Sequence, residues 1–87
     1  MRVVSTKKLI EAEERYPAAI EHLQGWYQIM KQGEFYSEQS LRDAFGDMRG
    51  FNYEFRFPIP NTTLLVHTLI NFESQVALIN EVKPGNH

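Results

Sequence analysis

The chain has 87 residues, no cysteine, a formal net charge of −2, and 43% hydrophobic and 13% aromatic residues. That is the length of one domain with apolar side chain enough for a core, and it excludes a disulfide framework or a thiolate metal site. No apolar run approaches the ~18 residues of a membrane span, no signal-peptide pattern opens the chain, and the acidic balance is not the usual footprint of a nucleic-acid binder.

A single cytoplasmic domain, residues 1–87, is therefore expected, with a mainly helical first half (1–50) and a three-stranded meander in the second (51–87). "MRVVS" offers a short strand over Arg2 to Val4, ending at Ser5 or Thr6 as a helix cap. "TKKLIEAEERY" then reads as a helix with Leu9, Ala12 and Tyr16 at helical spacing, stopped because Pro17 pushes Tyr16 out of the α region. Pro17 suits the first turn of a second helix, in which Ile20, Leu23, Tyr27 and Met30 recur at three- and four-residue steps. Trp26 widens that stripe, and Gly33 is a natural stop. Ser37 can cap a third helix, "EQSLRDAF", with Leu41 and Phe45 inward. "GDMRGFN" reads as loop.

The period then changes from helical to alternating. "YEFRFPI" sets Phe55, Phe57 and Ile59 against Glu54, Arg56 and Pro58. "LLVHTLINF" sets Leu64, Val66, Thr68 and Ile70 against Leu65, His67, Leu69 and Asn71. "PNTT" separates them, since Pro60 has no N–H to give a ladder. "VALINEV" closes the meander. The fold expected is α+β, an N-terminal helical pair packed on one face of a small antiparallel sheet.

Tight turns at Asn61–Thr62 and Glu73–Ser74 fix a register. Phe57 then faces Val66, Phe55 faces Thr68, Thr68 faces Ile79 and Ile70 faces Ala77. On the opposite face Arg56 falls across from His67, and His67 across from Asn80, as one row over three strands unless a bulge breaks it. A histidine that titrates near neutrality beside an arginine is the pair an RNA-cleaving site needs: a proton carrier for the 2′-hydroxyl or leaving oxygen, and charge for the phosphorane. Polar residues also line any solvated sheet face, so the row alone does not decide. Lys7, Lys8 and Lys31 are candidate RNA contacts. No glycine-rich phosphate loop, metal-spaced histidine pair or Ser-His-Asp arrangement is present, so no metal or small-molecule cofactor is expected.

The words "MRVVSTKKL", "YPAA…L..WY..MK.GEF", "SLRDAF", "FRFPI" and "INFESQVALINEV", spread over every element, resemble the HigB family of toxins, in the RelE-like superfamily of bacterial toxin–antitoxin systems. The resemblance implies a RelE-like fold and a ribosome-dependent mRNA endonuclease, neutralised by a helix-turn-helix, HigA-like antitoxin. Its partners would be that antitoxin, the ribosome and mRNA. The family tends to carry arginines where this chain has Leu65 and Asn80, and a basic residue at or near Glu54. After the last strand the family continues with a histidine and an acidic–aromatic pair where this chain reads "KPGNH", so His87 stands near that histidine's place and not at it. Arg56 and His67 do not match the family's catalytic positions; with His87 they are the candidate catalytic residues here on chemistry alone, and Asn80 joins the RNA contacts. Two functions follow: a HigB-like mRNA interferase, or a catalytically degenerate relative that acts only as a protein-binding partner.

Overall fold

The computed structural model describes residues 1–85, with Phe51 described by its backbone alone. In chain order it runs β1 (Arg2–Val4), α1 (Lys7–Arg15), a single 3₁₀ turn (Pro17–Ala19), α2 (Ile20–Gln32), α3 (Glu38–Phe45), β2 (Arg49–Phe51), β3 (Glu54–Pro58), β4 (Leu64–Asn71) and β5 (Val76–Pro84). The strands form one sheet in the order β1-β5-β4-β3-β2. β1 pairs with β5 in parallel, and the other three pairings are antiparallel. The fold is thus α+β, with the helices on one face of a mixed sheet.

Two expectations change. The sheet has five strands among the described residues, because β1 joins the meander at one edge and "RGF", expected as loop, joins it at the other. A three-residue strand containing glycine is too short to show a period of two. The glycine and asparagine were the readable signal: Gly50 (φ 103°) lies within the strand, and Asn52 (φ 62°) opens a tight Asn52–Tyr53 turn between the paired Phe51 and Glu54. Gly50 is obligatory on space as well, since a Cβ there would run into the backbone oxygen of Glu54.

The helices form for the reasons their sequences give. In α1, Leu9 and Ala12 are buried, and the helix ends at Tyr16 before Pro17. Thr6 takes its cap position, but its side chain makes no capping bond, so the hydroxyl cap expected there is absent. Backbone carbonyls hold that end instead: Ser5 O accepts from Lys8 N at 3.1 Å and Thr6 O from Leu9 N at 3.0 Å. In α2, Leu23, Trp26 and Met30 point inward. Ser37 does cap α3: its hydroxyl accepts from Ser40 N, and Ser40 Oγ accepts from Ser37 N, each at 3.2 Å.

The core lies between the helices and the inner face of the sheet. Leu23, Met30, Leu41, Phe55, Phe57, Val66, Ile70, Ala77 and Ile79 are all buried in it. Phe57 stands between two aromatic rings of the helical layer, with ring centroids 5.6 Å from Trp26 and 4.8 Å from Phe45. The buried Thr68 hydroxyl is satisfied by Phe55 O at 3.0 Å, so the one polar residue on this face carries no unmet donor.

Candidate functional site on the open face

The antiparallel sheet turns alternate residues to its uncovered side. β3 contributes Glu54 and Arg56, and β4 contributes Leu65, His67 and Leu69. The β3–β4 register is the one the turn implied: Phe55↔Thr68, Arg56↔His67 and Phe57↔Val66. The β4–β5 register begins as expected, with Ile70↔Ala77 and Thr68↔Ile79, and then shifts by one residue.

That shift corrects the expected three-strand row. His67 pairs with Glu81, not Asn80, because a β-bulge between His67 and Thr68 leaves Asn80 as the extra residue on β5. The cause is legible in "ALINEV". Strict alternation from Ala77 and Ile79 would have driven the Glu81 carboxylate into the helix-covered core, where an unpaired charge is expensive. One extra residue turns Glu81 outward and lets Val82 pack against the core.

The row extends instead in the other direction. Arg49 on β2 pairs directly with Arg56, and direct antiparallel partners share a face. Arg49, Arg56 and His67 therefore stand side by side over β2, β3 and β4. Reading "GDMRGFN" as loop concealed Arg49. Both arginines carry planar guanidinium groups, which suit recognition of a phosphate or carboxylate.

Arg56 and His67 border a groove of about 580 Å³ whose walls also include Tyr53, Glu54, Leu69 and Asn80. Asn80 thus remains at the site although it has left the ladder position. His67 is half-buried. Its pKa lies below the ordinary imidazole value of 6.5, first because of burial and next because of the Lys83 and Arg56 charges, with Glu81 opposing. Its Nε2 is out of contact with solvent and has no hydrogen-bond partner among the described residues. A neutral imidazole that lines a groove beside Arg56 can take up a proton from a bound hydroxyl through a ring nitrogen that reaches the groove, which the buried Nε2 does not.

The flank on β5 is acidic and basic in equal measure. Glu81 forms an ion pair with Lys83 at 3.4 Å, both half-exposed, which leaves His67 beside a compensated pair. Further along, Leu65 is only 5% exposed although it points to the open face. It packs against Gly85, whose N–H donates to Thr63 O at 2.8 Å. The open face is polar at its β2–β4 end and closed over at its Leu65 end.

The remaining candidates are not drawn together. Lys7 and Lys8 open α1 and Lys31 closes α2, so all three sit in the helical layer and none borders the groove. Lys31 Nζ instead lies 5.6 Å from the Tyr27 ring centroid. Trp26 is core, as its helical spacing implied. His87 lies outside the described residues. Among those residues no cluster of histidine and carboxylate side chains could hold a metal ion, and no helix is long and apolar enough to cross a membrane. Comparison with known proteins adds no relative: no protein-family model matches the chain, and no curated protein is significantly similar to it.

Proposed function

We propose that the chain is a HigB-like toxin of the cytoplasm, a ribosome-dependent mRNA endonuclease whose reaction centre is the open-face groove. The observation that carries this reading is the Arg49–Arg56–His67 row. His67, held neutral at pH 7 by its surroundings, takes the 2′-hydroxyl proton as the 2′-oxygen attacks the adjoining phosphorus. The P–O5′ bond breaks, a 2′,3′-cyclic phosphate forms, and the proton passes from His67 to the departing 5′-oxygen. Arg56, with Arg49 beside it, stabilises the added negative charge of the phosphorane.

Induced expression in a bacterial host, with and without a neighbouring helix-turn-helix gene, tests this. The proposal expects growth arrest with discrete cuts in a reporter mRNA, relieved by the neighbour and lost in His67→Ala. Intact mRNA and normal growth from soluble, folded protein would sink it.

A second reading is favoured by a different surface. A groove of about 500 Å³ between α1 and α2 is lined by Leu9, Ile10 and Tyr27, and Ile10 is 53% exposed. Taken with the net charge of −2, this suits a chain that keeps the fold but acts only by binding a protein partner such as a helix-turn-helix antitoxin. Antitoxin binding with intact mRNA would select it.

A further inference from the structure

Tyr53 is the most exposed aromatic side chain on the open side of the sheet, at 68%, and it sits at the tip of the two-residue turn joining β2 to β3. An exposed tyrosine in a turn is unremarkable when the turn is loose. This one is fixed. Its carbonyl accepts from Ile70 N at 2.7 Å, which ties the turn back to the central strand β4. Left-handed Asn52 and Gly50 set the backbone on its other side. The ring belongs to no part of the core cluster, so neither packing nor folding accounts for a large aromatic there.

Its surroundings differ on its two sides. Towards Arg56 and His67 it borders the polar groove. Towards β5 it borders a second, shallower concavity of about 370 Å³ with Leu69, Val76 and Leu78. Leu69 and Leu78 are direct partners across β4 and β5, and Leu69 is 36% exposed. An exposed aromatic ring on a fixed turn, with an apolar shelf on one side and the Arg56 guanidinium on the other, matches a nucleotide in two parts: base on the ring, phosphate on the arginine. Glu54, between them in sequence and exposed, confines the anionic part to the Arg56 end.

We propose that Tyr53 forms a base-stacking subsite for single-stranded RNA, holding the nucleotide next to the phosphate that Arg56 receives. This rests on the reading of the open face as an RNA site, and it adds a requirement that reading lacks: the bound segment must be unpaired, because a base within a duplex has no free face to offer the ring.

Fluorescence anisotropy of the full chain with a labelled 12-nucleotide single-stranded RNA tests it, alongside the same RNA annealed to its complement. The expected results are weaker binding of the duplex, a Tyr53→Ala affinity loss of roughly 5- to 150-fold, and near-native affinity for Tyr53→Phe. The salt dependence separates the roles. Tyr53→Ala keeps the native slope of affinity against salt, whereas Arg56→Ala lowers it by about one. Circular dichroism confirms that the exposed substitution leaves the fold intact. Native RNA affinity in Tyr53→Ala overturns the subsite, even if the protein still cleaves RNA. Tyr53-dependent binding without any cleavage upholds it and removes the nuclease. No RNA binding by the native chain removes the subsite, and a dimer that Tyr53→Ala dissociates, with RNA affinity unchanged, overturns it in favour of a second copy of the chain.

Discussion

On the helix-covered side of the sheet, Phe55, Phe57, Val66, Ile70 and Ile79 are at most 1% exposed and pack on α2 and α3. On the other side, residues of the same strands, Glu54, Arg56 and Asn80, are exposed, and the half-buried His67 has a nitrogen with no partner among the described residues. One backbone thus carries two surfaces with opposite tolerances. The inner side chains hold the fold and have no reactive groups to spare. The outer ones contribute little apolar burial to the fold, and two of them, Arg49 and Arg56, stand directly opposite each other across β2 and β3.

The comparison breaks if substitutions on the two faces have similar consequences. The largest expected effect is on the outer face: His67→Ala lowers RNA cleavage by about 10²- to 10⁴-fold, while its thermal unfolding stays close to that of the native chain. Phe57→Ala on the inner face does the reverse. It removes the ring between Trp26 and Phe45 and costs about 3–5 kcal/mol of stability, read from denaturant unfolding. Gly50→Ala tests the link between the faces. It costs more than about 1 kcal/mol, because the left-handed backbone and the Glu54 oxygen both resist a Cβ, and it displaces the turn that carries Tyr53. Ser37→Ala removes the α3 capping box for about 1 kcal/mol and leaves cleavage per folded molecule unchanged.

The pH dependence sharpens the same contrast. The His67 pKa is lowered on folding, so the unfolded chain binds the proton more readily. The stability that the neutral ring contributes is complete above the ordinary value of 6.5 and is lost as pH falls through the window below it. Cleavage that uses the neutral imidazole as base falls over the same window. A pH–rate profile of cleavage should therefore be flat from pH 7 upward, with its acidic limb below 6.5. A limb above 6.5 would assign the proton transfer to another group.

The inner face was almost wholly legible in the sequence, and the outer face only in part. Helical spacing gave Leu9, Leu23, Met30 and Leu41, and alternation gave Phe55, Phe57, Val66 and Ile70, because burying one stripe or one face is what those periods do. Arg56 opposite His67 followed from the turn at Asn61–Thr62. What failed were features shorter than a period. The strand Arg49–Phe51 is three residues long, so Arg49 stayed hidden in a supposed loop. The bulge at Asn80 is one residue, and a register counted from the turns carries no term for it. Each had a local sign nonetheless: a glycine within the strand and an asparagine just after it, and an acidic Glu81 where alternation demanded an apolar residue. The lysines lie in the helical layer away from the groove, and charge count says nothing about which layer a residue occupies.

The most direct test is to add the purified chain to ribosomes programmed with a defined mRNA and to map the 5′ ends produced, native protein against His67→Ala. Discrete cuts that leave 2′,3′-cyclic phosphate ends, and that disappear with His67→Ala while the variant remains folded, are the predicted result. Uncut mRNA with folded native protein, or cuts that persist unchanged in the variant, would contradict the assignment of the open face as the reaction centre.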